Sequence, residues 1–122
     1  MKIITTFTIL LWSAFTAFAL SQEEAGKIFK EMLSAQEAHN YDAFVAHAND
    51  QLKAALSRTQ FDAAAHLITQ KLKDGYDLSS LGELHQRGFQ VFLYRLRPKT
   101  DGDDILATLS IQEGKVGGIW FR

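Results

Sequence analysis

Four histidines are the residues of this sequence best suited to bind a metal or to transfer protons: His39, His47, His66 and His85. They form neither a His-x-His pair nor the His-Glu-x-x-His pattern, and the chain has no cysteine to join them. The sequence therefore predicts no metal site and no cofactor. His66 falls beside the apolar stripe of a predicted helix and could face a pocket, although a packed or half-exposed histidine is the simpler interpretation.

Two charged clusters are further candidates for a binding site. The acidic stretch 101–104 lacks the loop length and terminal Glu of an EF-hand, so a turn with solvated carboxylates is the simpler interpretation. Arg95 and Arg97 share a strand phase and could hold an anion, with Lys99 and Arg87 nearby. A solvated strand end is the simpler interpretation.

Three aromatic residues complete the candidates: Phe92, Tyr94 and Trp120. Aromatic side chains line many ligand cavities, but they also fill cores and subunit interfaces. With His66, they are the predicted lining of a pocket or interface. The sequence offers no residue that can be named as catalytic.

The elements that must position these residues are clearest in the C-terminal part. Alternating apolar residues, separated by turn residues such as Gly88, Pro98 and Gly114, predict four strands in one antiparallel meander. The predicted strands are Tyr76–Gln86, Phe89–Arg97, Asp103–Ile111 and Lys115–Arg122. Because a sheet with an apolar face needs a cover, the preceding segments must supply it.

Three helices are predicted to form that cover: Gln22–His39, Tyr41–His47 and a third that ends near Gly75. Capping-box patterns start the first and third helices: Ser21 with Glu24, and Ser57 with Gln60, where Thr59 is the alternative cap. The buried stripe of the third helix is expected to be Phe61, Ala64, Ala65, Ile68 and Leu72. Residues 48–56 fit either a helical turn or irregular structure. The predicted fold class is α+β, with three N-terminal helices packed on the four-stranded meander after a signal peptide.

The last hairpin admits two registers. A three-residue turn at 112–114 would place Leu109 opposite Gly117 and Ala107 opposite Ile119, whereas a two-residue turn would place Ala107 opposite Trp120. We favour the first because it sorts apolar and polar residues better. One face would then carry Ile105, Ala107, Leu109, Ile119 and Phe121, and the other Leu106, Thr108, Ser110, Val116, Gly118 and Trp120.

The second face of the sheet is not fully polar, since it carries Leu106 and Trp120, and strand Phe89–Arg97 is apolar in both phases. Three short helices can cover one face only. We expect the remaining apolar surface to meet either a pocket or a second subunit, and in the second case the protein would be a homodimer through the open sheet face.

The N-terminus predicts export. Lys2 precedes an uncharged apolar run, and Ala17-Phe18-Ala19 offers the small residues that signal peptidase requires. We expect a signal peptide over 1–19, cleaved after Ala19, a single domain over 20–122, and a periplasmic or extracellular location. A retained membrane anchor is the alternative, because the run approaches the roughly 20 residues that span a bilayer.

The charge of the chain, −1, favours neither nucleic acid nor anionic lipid as a partner. Since there is no cysteine, disulfides are excluded and burial alone must hold the domain together.

Six segments carry a resemblance to known proteins: Tyr41–Phe44, Leu52–Ser57, Gly75-Tyr76, Leu81–Leu84, Asp103–Ala107 and Gly114–Gly118. They resemble the nuclear transport factor two-like superfamily, also described as a cystatin-like α+β cone, and within it small exported bacterial proteins of unknown function. The resemblance implies the cone fold. It does not imply one activity, because relatives include isomerases, cyclases, dehydratases and non-catalytic modules, and no catalytic motif of theirs aligns here.

The expected function is a non-enzymatic interaction or small-ligand-binding module. The alternative is a small cone-pocket enzyme that uses acid/base chemistry on an apolar substrate. It would need a carboxylate or histidine in an enclosed cavity, facing Tyr94 or another donor.

Overall fold

The computed structural model describes residues 19–100 and 102–122. The predicted signal peptide, 1–19, lies outside these residues except for Ala19, so it stays a prediction. Within the described part, no helix is long and apolar enough to cross a membrane.

The fold is α+β, as predicted. The helices are α1 (Gln22–Glu37), α2 (Tyr41–Val45), α3 (Asp50–Ala55) and α4 (Arg58–Leu72). The strands are β1 (Tyr76–Gln86), β2 (Phe89–Pro98), β3 (Ile105–Gln112) and β4 (Lys115–Phe121). The strands pair in the order β1-β2-β3-β4, each antiparallel to the next. The predicted meander is therefore confirmed, with strand ends shifted by at most two residues.

The prediction of three helices was wrong, because the described part contains four. The additional helix is α3, within the segment whose conformation the sequence left open. Asn49 caps it, since its side-chain oxygen accepts a hydrogen bond from the backbone N–H of Leu52 at 2.8 Å. No residue of α3 is fully buried, so the helix carries no apolar stripe that periodicity could have detected.

The two predicted capping boxes start α1 and α4. In each box the serine oxygen accepts from the backbone of the third helical residue, whose side chain accepts from the serine N–H. Ser57, and not Thr59, therefore caps α4. The last turn of α1 contains no basic residue, and the helix ends beside His39 and its left-handed backbone at φ 53°.

The predicted three-residue turn between β3 and β4 was wrong. Gln112 pairs with Lys115 around a two-residue turn, in which Glu113 and Gly114 both have positive φ, as a type I′ turn requires. A bulge follows at once, so Leu109 pairs with Ile119 and not with Gly117.

The turn and the bulge together shift the predicted register by two residues, which preserves the faces. Ala107, Leu109, Ile119 and Phe121 therefore share one face as predicted. Val116 is the exception. It precedes the bulge, pairs with Ile111 and is buried on the inner face, where the prediction had placed it outside.

The core lies between the inner face of the sheet and the helices. Its fully buried large side chains come from α1, α4 and three strands: Phe29, Phe61, Phe92, Met32, Leu33, Leu96, Leu109, Ile111 and Val116. The expected stripe of α4 is confirmed except for Ala64, which is exposed. Ala64 lies one residue before Ala65 and so faces about 100° away from it around the helix.

Two sets of hydrogen bonds join the helical layer to the sheet. The side-chain amide of Gln90 in β2 both accepts from the N–H of Leu20 at 2.9 Å and donates to its carbonyl at 3.0 Å. At the other side, Val116 of β4 exchanges backbone hydrogen bonds with the segment around Ala48. This contact covers the start of the β4 edge, which would otherwise be free to pair with another chain.

The cap of α4 supplies a test of the fold. We expect Ser57→Ala to lower the free energy of unfolding by about 1 kcal/mol, because the N–H of Gln60 loses its acceptor. The measurement is urea unfolding followed by circular dichroism. Thr59→Ala is the matched control inside the helix, and we expect it to change stability by less than about 0.5 kcal/mol. Equal losses in the two variants would contradict the assignment of the cap.

Candidate functional site

A half-open cleft of about 810 Å³ lies between the first half of α1 and the inner face of β1. Its lining comes from α1, β1 and one residue of β2: Gln22, Glu23, Glu24, Gly26, Lys27, Lys30, Leu78, Ser80 and Tyr94. Gly26 lines the cleft, and a Cβ built on it would meet no atom within 4 Å, so a larger side chain would have room to enter the cleft there. Clefts of this volume are typical of small-molecule sites.

Tyr94 contributes the most buried side chain of this cleft. It is 3% exposed, and its ring stacks on that of Phe29 with 4.4 Å between centroids and 16° between planes. Its hydroxyl is buried and has no hydrogen-bond partner among the described residues. Burial raises the pKa of the Tyr94 phenol above its usual value, so at neutral pH the group remains protonated and can donate one hydrogen bond.

The other polar groups of the cleft lie nearer to solvent. Ser80 donates a hydrogen bond to the amide oxygen of Gln22 at 3.2 Å, which joins α1 to β1 at one end. Lys27 and Lys30 are exposed on α1. The carboxylate of Glu24 accepts from the backbone N–H of Ser21 at 3.0 Å, and this hydrogen bond lowers the pKa of Glu24.

This set of groups does not assemble a proton-transfer site. No histidine belongs to the lining of the cleft, and its two carboxylates, Glu23 and Glu24, are exposed on the first turn of α1. In this cleft, the alternative of an acid/base enzyme would therefore have only these two exposed carboxylates as bases.

The outer face of the sheet is the second candidate surface, and no described helix packs on it. Leu84, Leu106 and Trp120 lie on it with 45%, 40% and 50% of their surface exposed. The register places Val91 and Leu93 of β2 on the same face. The indole of Trp120 lies over Gly118, where an added Cβ would collide with the ring.

The structure separates the four predicted site residues. Phe92 and Tyr94 lie on the inner face, and Phe92 is fully buried in the core. Trp120 lies on the outer face. His66 is exposed on α4. Only Tyr94 lines the cleft, and only Trp120 belongs to the outer face, so the four do not form one site.

Some of the remaining charged groups pair with one another. Arg97 donates to both carboxylate oxygens of Asp104, at 3.2 and 3.3 Å. Nε2 of His47 lies 2.6 Å from a carboxylate oxygen of Glu31. Across residues 19–100 and 102–122, no three His, Asp or Glu side chains come together as metal ligands. The acidic stretch was predicted as a solvated turn, and Asp101 itself lies outside the described residues.

Sequence reasoning missed most of the cleft, notably Gly26, Lys30, Leu78 and Ser80. The one available signal was Gly26, because an isolated glycine within a helical pattern lowers helix stability and often marks a close approach or a gap. Which strand lies opposite that glycine depends on how α1 crosses the sheet, and no local pattern contains this information.

Two tyrosines provide a test of the unpaired hydroxyl. We expect Tyr94→Phe to leave the free energy of unfolding unchanged or to raise it, because it removes a buried polar group that has no partner. Tyr41→Phe is the matched control, since its hydroxyl donates to the carbonyl of Leu56 at 2.8 Å. Its loss should cost about 1 kcal/mol. Chemical denaturation of both variants makes the comparison, and a clear loss of stability in Tyr94→Phe would contradict the assignment.

The ion pair of Arg97 and Asp104 predicts a pH dependence. The guanidinium lowers the pKa of Asp104 below its ordinary 3.8, so the pair stabilises the fold above that pH. The contribution is lost as the pH falls through the lowered pKa. We expect Asp104→Asn to be slightly less stable than wild type at neutral pH and low salt, and the difference to vanish as the pH falls below 3.8. Thermal melting over pH measures this, with Asp103→Asn as the control. A difference that does not change with pH would contradict it.

Comparisons with known proteins concern the fold. No protein-family model matches the chain, and no curated protein matches it. Among solved structures, it is similar to an uncharacterized cystatin-fold protein from Novosphingobium aromaticivorans, at 15% identity and a TM-score of 0.44. That match covers 79% of this chain and 95% of the other.

Two further solved structures are similar at 13% identity. One is AclR from Streptomyces galilaeus, described as a candidate hydroxylase, with a TM-score of 0.45 over 84% of this chain and 90% of the other. The other is an NTF-2-like protein of unknown function from Burkholderia xenovorans, with a TM-score of 0.41 over 84% and 86%. Identities this low transfer no function. These solved structures thus include one cystatin-fold protein and one NTF-2-like protein.

Proposed function

We propose that this protein is an exported, non-enzymatic interaction module that forms a homodimer through the outer face of its sheet. One observation carries the proposal: three large apolar side chains, Leu84, Leu106 and Trp120, are exposed together on the face that no described helix covers. Single exposed apolar residues are ordinary on a protein surface, but a group of them on one flat face is typical of an interface.

The size of the face suits a second copy of the chain. β2 has 10 residues, so the sheet is about 33 Å long, and four strands give it a width of about 19 Å. Each subunit would bury roughly 600 Å², or roughly 1,200 Å² for the pair, which is the lower end of a stable interface.

The chemistry of the face limits how two copies can meet. In a two-fold dimer, the same patch of both subunits forms the interface, so the patch must be self-complementary in shape and charge. Val91 and Leu93 make the middle of the face apolar, whereas the end near Leu106 carries Arg95, Arg97 and Arg122. Arg97 pairs with Asp104 within the subunit. A two-fold contact at the roughly 10 Å spacing of packed sheets must therefore keep Arg95 and Arg122 of the two copies apart or in solvent.

Light scattering coupled to size exclusion tests this proposal. We expect the protein, studied over 20–122, to be dimeric at high micromolar concentration, and Leu84→Glu to raise the dissociation constant by about tenfold or more. The reason is that the variant buries a carboxylate in the interface twice.

The matched control is Leu67→Glu, which charges a leucine that is 65% exposed on α4, away from the sheet. It should leave the dimer unchanged. A wild-type protein that stays monomeric at several hundred micromolar would refute the proposal, and so would equal dissociation of the two variants.

A further inference from the structure

The cleft between α1 and β1 contains a hydrogen-bond donor that the described fold leaves unused. Tyr94 is almost completely buried, it lines the cleft, and its protonated hydroxyl has no partner among the described residues. Buried hydroxyls in folded proteins nearly always find an acceptor. The position of this one, at a cleft large enough for a small molecule, indicates an acceptor oxygen that comes from outside the chain.

Two positive charges stand at the same cleft. Lys27 and Lys30 line it, and in the described part neither makes an ion pair. Of the nearby carboxylates on α1, Glu31 pairs with His47. Glu24 accepts from the N–H of Ser21 but keeps its negative charge, and with Glu23 it lies on the first turn of α1 at one end of the cleft. These two carboxylates offset the positive charge there, so Lys30, farther along the helix, is the less compensated of the two lysines.

The apolar part of the lining completes the set. Leu78 from β1 and the ring of Tyr94 face a stretch of α1 in which Gly26 leaves open space. A ligand that suits these groups has an apolar body to fill this space. It also has an oxygen acceptor for the phenol and a negative charge for the lysines.

We propose that the cleft between α1 and β1 binds a small apolar carboxylic acid as its anion. The apolar body lies against Leu78 and Gly26, the Tyr94 hydroxyl donates to the carboxylate, and Lys30 and Lys27 supply the opposing charge. This site is on the inner side of the sheet, so it is independent of the proposed dimer.

Nitrogen-15 NMR titration with octanoate and with its neutral counterpart octanamide tests the site. We expect octanoate to shift the amide signals of Gly26, Leu78 and Ser80, and to bind at least fivefold more tightly than octanamide. The titration is repeated with the Leu84→Glu variant, in which the site should be intact even though the dimer is weakened.

Three variants separate the components of the site. Gly26→Leu places a side chain into the open space and should abolish binding, while the helix itself becomes more favourable. Tyr94→Phe and Lys30→Gln should each weaken octanoate binding by about fivefold, and each should bring the affinity closer to that of octanamide. Lys53→Gln on α3 is the control for loss of a lysine and should leave binding unchanged.

Three results would overturn the proposal: no shift of the cleft amides at 20 mM octanoate, shifts confined to the outer face around Leu84 and Trp120, or equal affinity for octanoate and octanamide. If Gly26→Leu fails to fold, Tyr94→Phe and Lys30→Gln decide the question. Unchanged octanoate binding in both of them refutes the site.

Discussion

The stacking of Phe29 on Tyr94 is the contact on which the arrangement of the two layers depends. It joins the middle of α1 to the middle of β2, with 4.4 Å between the ring centroids and almost parallel planes. Both side chains are buried, so displacing either would expose a large apolar area. Together with the hydrogen bonds between the Gln90 amide and Leu20, this contact fixes the direction in which α1 crosses the sheet. The cleft beside β1 is a consequence of that direction.

Strand β2 carries apolar side chains on both faces of the sheet, but the helical layer covers only one of these faces. Its inner phase, with Phe92 and Leu96, is fully covered by the helical layer. Its outer phase lies on a face that no described helix reaches. The bulges in the outer strands do not correct this difference, because each shifts the pairing locally and leaves the faces of β2 unchanged. The apolar outer face thus combines Val91 and Leu93 of β2 with residues from the three other strands: Leu84, Leu106 and Trp120.

The sequence predicted the elements well where a local pattern specifies them. Alternation fixed the four strands, and the serines at positions 21 and 57 fixed two helix starts, because caps and strands are local chemistry. It failed at α3, which has a cap but no buried stripe, and at the β3–β4 turn, where a bulge compensates for a shorter loop. The sequence did not predict the cleft. The gap at Gly26 acquires meaning only when β1 lies opposite, and that proximity is a product of tertiary packing.

Stability connects the cleft to the outer face. A domain of this size has a net free energy of unfolding of about 5–15 kcal/mol, and without cysteine it has no disulfide to add to this. An unpartnered buried hydroxyl costs about 1–3 kcal/mol, and an exposed apolar face forgoes burial worth roughly 25 cal/mol per Å². Tyr94 carries the cost of an unpaired buried hydroxyl, and the outer face carries the cost of exposed apolar surface. A bound anion in the cleft and a second subunit on the sheet would each recover one of them, and because they act on opposite faces, either can do so without the other.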